Sequence, residues 1–158
     1  MQPTPDLPTL LAIYNQINHY GRTNGMELTV THPGKVHYTM AVQETHLSSP
    51  GTCHGGVLAG LMDSALGAAA LSLAFTTGEL VSTVEFKINY LHPVYLHDAL
   101  VAQGMVEHSG KTLVVSSAQI ICPGRDNLVV ARGMGTFNRY PASKRGFHEL
   151  LFPAEEQG

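Results

Sequence analysis

The chain is short of charge. Of 158 residues, 9 are Lys or Arg and 12 are Asp or Glu, 13% in all, where a typical soluble domain carries about 25%. Disorder needs the opposite balance, low hydrophobicity with high net charge, and 44% of this chain is hydrophobic. A formal net charge of -3 lacks the basic footprint of a nucleic-acid binder. Cysteine is scarce as well. Cys53 and Cys122 are too few for a disulfide framework, and two buried thiols in a reducing cytoplasm are the simpler expectation. The start, MQPTPDLPTLLAIYNQ, has neither a basic n-region nor a long apolar h-region, so no signal peptide is expected. GxGxxG and Walker loops are missing, which removes the nucleotide-phosphate enzymes of those classes. The nine histidines form no HxH or HxxxH pair, and Cys53-His54 is not a spacing of structural zinc sites. No metal is expected.

One apolar run dominates what is present. Gly55 to Gly78 reads GGVLAGLMDSALGAAALSLAFTTG, near the roughly 20 residues that a spanning helix needs. Asp63 lies in its first half and no Lys or Arg flanks it. A charge there is costly in lipid, so a buried helix over Gly56–Phe75 in a protein with no membrane partner is predicted.

Around that run the pattern is short and alternating. Leu10, Leu11, Ile13, Tyr14 and Ile17 share a helical stripe over Thr9–His19. Met26–Thr31 and Val36–Val42 flank Pro33-Gly34 as a hairpin. HLSSPGTC reads as a loop. In Leu80–Tyr90, strict alternation puts Val84, Phe86, Ile88 and Tyr90 on one face and Thr83, Glu85, Lys87 and Asn89 on the other. Ala99–His108, Leu113–Ile121 and Leu128–Asn138 are three more strands, joined by SGK and PGRDN turns and paired antiparallel. Six strands and one long helix make an α+β domain, with the helix inside the curl of the sheet. One domain spans 1–158, with its core over about 9–138 and a tail over 139–158. The tail holds Arg139, Lys144, Arg145 and the apolar Leu150-Leu151-Phe152.

The chemistry concentrates at the start of the long helix. Asp63 is the only charged residue between Cys53 and Gly78, and an unpaired buried charge is expensive. The preceding His54-Gly55-Gly56 puts glycines where free N–H groups and the positive dipole end meet an approaching oxyanion. Cys53 adjoins the same N-terminus, which lowers a thiol pKa, but no cysteine-enzyme signature surrounds it. Asp63 lies eight positions after Gly55, about 12 Å along one helix axis. One carbonyl does not reach both from the same helix, so the spacing hints at a site shared by two copies.

HGGVLAGLMDSALGAAAL, STVEFKINYLHPV and HSGKTLVVSSAQI resemble the hotdog-fold acyl-CoA thioesterases of the phenylacetate-degradation (PaaI) type. The resemblance covers about residues 9–138. It implies a long helix wrapped by a curled antiparallel sheet, with homodimers or dimer-of-dimers tetramers whose sites lie at the dimer interface. It also implies hydrolysis of a small aryl- or medium-chain acyl-CoA without a cofactor, CoA being part of the substrate. Carried over by position, Asp63 is the nucleophile or the general base. Gly55, with Gly56 in support, polarises the thioester carbonyl, His54 shapes the turn or contacts the thioester, and Thr83 helps to position water or substrate. Ser48 stands where relatives commonly carry Asn or Gln, a departure that bears on rate and acyl preference, since Ser donates one hydrogen bond only. The strand end Lys87, Asn89 and Tyr90 and the turn Ser109, Gly110 and Lys111 border the nucleotide in relatives. Met62, Leu66 and Tyr90 are candidates to close the acyl tunnel. The same fold also accommodates a non-catalytic acyl-CoA sensing module and a hydroxyacyl-thioester dehydratase that would use His54 with Asp63.

Overall fold

A computed structural model describes residues 6–145. Helix α1, Leu7–Ile17, starts two residues before the predicted Thr9 because Asp6 caps it: its Oδ1 accepts the Thr9 N–H at 2.9 Å, satisfying one free amide of the first turn. Asn18 ends α1 and caps the short α2, His19–Thr23, accepting the Gly21 N–H at 3.0 Å. Strands β1, Glu27–His32, and β2, Lys35–Ala41, form the expected hairpin, with Gly34 at φ +88° in its turn. HLSSPGTC is not wholly a loop. Leu47–Ser49 (β3) and Thr52–Cys53 (β4) pair as a small ribbon around Gly51 at φ +78°.

Helix α3 runs from Gly55 to Ala74 and passes through one tight turn to Gly78 at φ +74°, the left-handed stop that glycine supplies without a Cβ penalty. Strands β5 (Glu79–Tyr90), β6 (Ala99–Ser109), β7 (Leu113–Cys122) and β8 (Leu128–Pro141) follow. All sheet pairs are antiparallel, in the order β1-β2-β6-β7-β8-β5. Strand β8 continues past the predicted Asn138. Arg139 thus belongs to the sheet, bound to Glu79, Ser109, the Gly110 carbonyl and Thr77, and is not a tail residue. Of the rest of the predicted tail, Lys144 is exposed in a closing turn. Leu150-Leu151-Phe152 lie outside the described residues.

Helix α3 touches all six strands of the large sheet. By length and hydropathy it passes as a membrane span, yet its apolar side is spent on its own sheet. Leu58, Leu61, Met62, Ala65, Leu66 and Ala69 are buried there, each large side chain contributing roughly 1.5–3 kcal/mol over the exposed state. Met62 and Leu66 therefore belong to the core and do not close a tunnel. Glycine lets the layers meet. A Cβ on Gly104 would overlap the Ala65 carbonyl oxygen, and one on Gly133 would lie 2.8 Å from Met62 Sδ.

Strand β5 departs from strict alternation. Thr83 pairs with Phe137 and Glu85 with Thr136, so Val84 is an extra residue, a β-bulge, and it is 58% exposed. A bulge switches the facing of everything before it. Thr83 therefore shares the helix side with Phe86, Ile88 and Tyr90, against the predicted parity.

Candidate active site

The bulge delivers Thr83 to Asp63: its hydroxyl donates to Asp63 Oδ1 at 2.9 Å. Asp63 is half-buried, on the side of α3 that faces the edge strand β5. This bond fixes one carboxylate oxygen and leaves Oδ2 without a side-chain donor among the described residues. A cavity of about 230 Å³ opens on the pair, lined also by Tyr14, Ser64, Gly67 and Ser82.

The other half lies at the start of α3. His54 is the N-cap, with φ -66° and ψ 135°, and its Nδ1 accepts the Gly56 N–H at 2.8 Å. Gly56 is thus occupied and offers nothing to a ligand. With Nδ1 accepting, a neutral His54 carries its ring proton on Nε2, which faces out as a donor. The Gly55 N–H makes no hydrogen bond among the described residues. Tyr90 secures this turn: its hydroxyl donates to the Gly55 carbonyl at 2.8 Å. A cavity of about 330 Å³ lies here between Gly55, Leu58, Tyr90 and Pro93. Cys53 beside it is buried, its thiol directed to the His54 carbonyl at 3.7 Å. Burial pushes that thiol up to about 11, so it is no thiolate nucleophile at neutral pH.

Asp63 with Thr83, and Gly55 with His54 and Tyr90, are therefore two separate candidate half-sites, about 12 Å apart along α3. Ser48 is exposed on the β3–β4 ribbon that leads into His54. Lys87 and Asn89 lie on the outer face of the sheet, opposite Met134 and Arg132. Ser109, Gly110 and Lys111 turn at the far end, beside the start of β5. There the Gly110 N–H is used by the Leu113 carbonyl, and the Ser109 hydroxyl and Gly110 carbonyl accept from Arg139. The chain by itself does not bring these nucleotide candidates together. Sequence reasoning missed Tyr14, which lines the Asp63 cavity from α1. It lay in the predicted apolar stripe and carried no separate signal. Among the described residues no three His, Cys, Asp or Glu side chains gather as a metal site.

A long helix packed against a six-stranded antiparallel sheet is the hotdog arrangement. The thioesterase superfamily model matches residues 50–128, and the chain belongs to that superfamily. Within it the chain is of the PaaI type. It is 31% identical to human acyl-coenzyme A thioesterase 13 over 84% of this chain and 94% of that one. It is 28% identical to acyl-coenzyme A thioesterase PaaI of Escherichia coli over 69% and 75%. The solved E. coli PaaI protein, from the phenylacetic acid degradation operon, superposes with a TM-score of 0.75 at 26% identity, over 84% of this chain and 91% of that one. A hypothetical thioesterase from Streptococcus pneumoniae, solved with coenzyme A, gives 0.66 at 28% identity, over 73% and 86%.

Proposed function

We propose that this thioesterase hydrolyses acyl-CoA, with a small aryl or medium-chain acyl group, at a site shared between two copies of the chain. The Asp63–Thr83 pair carries the proposal. Asp63 either attacks the thioester carbonyl carbon itself or takes a proton from the water that attacks. The carbonyl oxygen gains negative charge, and the Gly55 N–H of the other copy donates to it. With Asp63 as base, C–S cleavage releases the acid directly, and the CoA thiolate takes the proton that Asp63 removed from water. With Asp63 as nucleophile, C–S cleavage leaves an acyl–Asp63 anhydride, which water then hydrolyses, freeing the acid, restoring the carboxylate and supplying the thiol's proton.

Two observations support the shared site. A single carbonyl cannot lie within about 3 Å of both half-sites when the helix separates them by about 12 Å. Strand β5, which carries Thr83, is 12 residues long and among the described residues pairs only with β8, an open edge suited to a second copy. A two-fold axis across that edge would also bring the Ser109–Lys111 turn of one copy toward Lys87, Asn89 and Tyr90 of the other. Homodimers, paired or not into tetramers, follow, and the two free buried thiols suit a cytoplasmic setting. The dehydratase alternative needs His54 as a base, and its Nδ1 lone pair is already engaged by Gly56.

Asp63→Asn tests the mechanism. Thiol release from a panel of aryl and acyl-CoA esters should vanish while the esters still bind. Wild-type turnover in the purified variant would sink the assignment, and tight ester binding by a wild-type chain without turnover would favour the sensing module.

A further inference from the structure

Two cavities follow one another along helix α3. The first holds Asp63 and Thr83 and passes Ser64 and Gly67. The second, about 140 Å³, is walled by the aliphatic Leu10, Ile13, Ile17 and Leu80. Asp63, Gly67 and Leu71 stand at i, i+4 and i+8 on one helix face, about 12 Å from first to last. Tyr14, Leu71 and Val81 line both cavities. Leu71 and Val81 belong to the central helix and the sheet. Tyr14 comes from α1, on which Leu10 is the one buried residue, and its side chain lines both spaces.

The ring is held in place. Asn18 Nδ2 donates to the Tyr38 hydroxyl at 3.2 Å, and the Tyr38 hydroxyl donates to that of Tyr14 at 3.3 Å. Tyr38 is itself only 1% exposed, so the relay is anchored in the core. The near cavity mixes the hydroxyls of Ser64, Ser82 and Thr83 with apolar walls, whereas the far one is bounded mainly by aliphatic side chains. A compact acyl group fills the first, and a long aliphatic chain needs the second.

We propose that Tyr14 is the acyl-length stop of this site, confining the wild-type chain to compact aryl or short acyl groups. The proposal rests on the thioesterase reading above and narrows it. Without the ring, the Leu10–Ile13–Ile17 crevice joins the Asp63 cavity and receives the distal carbons of a longer chain.

The test compares kcat/KM for benzoyl-, butyryl-, hexanoyl-, decanoyl- and dodecanoyl-CoA in wild type, Tyr14→Phe, Tyr14→Leu and Tyr14→Ala. The decanoyl-to-butyryl ratio should rise about tenfold or more in the Leu and Ala variants, the scale of a methylene gained in a hydrophobic pocket. Tyr14→Phe keeps the ring and should keep the wild-type ratio. An unchanged ratio in folded Tyr14→Leu overturns the proposal. That variant retains an apolar, helix-favouring residue should Tyr14→Ala unfold. Calorimetric binding of butyryl- and decanoyl-CoA to Asp63→Asn, with and without Tyr14→Leu, reads length preference apart from chemistry. A failure of the acid's assignment and a failure of the stop therefore give different results.

Discussion

At the start of helix α3, one amide is taken and its neighbour is not. His54 Nδ1 holds the Gly56 N–H, which leaves the Gly55 N–H free for the proposed oxyanion. Proline at position 55 removes that N–H alone. The first helical position favours proline, and the preceding residue must be extended, as His54 already is at φ -66° and ψ 135°. A Cβ on Gly55 meets Tyr90 at an ordinary 3.4 Å. Gly55→Pro should therefore melt near wild type while kcat falls by about 10²–10³, the usual loss for one oxyanion donor. A folded variant with wild-type kcat would remove Gly55 from the mechanism. Single residues were the most legible level of this sequence. Asp63 stood out because nothing else in its run is charged, and Gly55 because it opens that run. Gly56 was not separable from Gly55 in sequence, since which amide a His side chain caps depends on its rotamer.

Among the elements, β5 shows where pattern and fold part. Its alternation from Phe86 to Tyr90 is regular, and extrapolating it backwards turns Thr83 away from the helix. The bulge at Val84 reverses that, and a bulge leaves no mark when the extra residue is an ordinary valine. Deletion makes the point measurable. Without Val84 the strand becomes regular with Thr83 still under α3, so this variant should keep a native circular dichroism spectrum and a cooperative melt. Loss of Lys87 instead sets Phe86 beside Ile88 and forces one of them outward, and that variant should fail to fold. Equal behaviour of the two deletions would contradict the register. Helix α3 itself was readable to within a residue at each end, because its caps are a His-Gly-Gly start and a Gly stop.

For the molecule as a whole, the α+β class and the wrapped helix followed from one apolar run among alternating strands. The strand order did not, because β2–β6 and β5–β8 join segments far apart in sequence, and local pattern is blind to them. The proposed two-copy site has a sharp consequence at this scale. Asp63→Asn and Gly55→Pro are each inactive alone, but a mixed dimer contains one site with both groups intact. Half of the dimers in an equal co-refolded mixture are mixed, so about a quarter of wild-type activity should return. No recovery would mean that each chain acts by itself. Helix α1 meanwhile lies outside the sheet order, laid over α3 by its own apolar stripe. It carries the proposed stop, while residues 54–90 carry Asp63, the Thr83 hydroxyl bound to it and the free Gly55 amide. In the proposed site, substrate range and chemistry thus lie on separate stretches of chain, and exchange of the first seventeen residues between relatives should change what is cut while leaving how it is cut untouched.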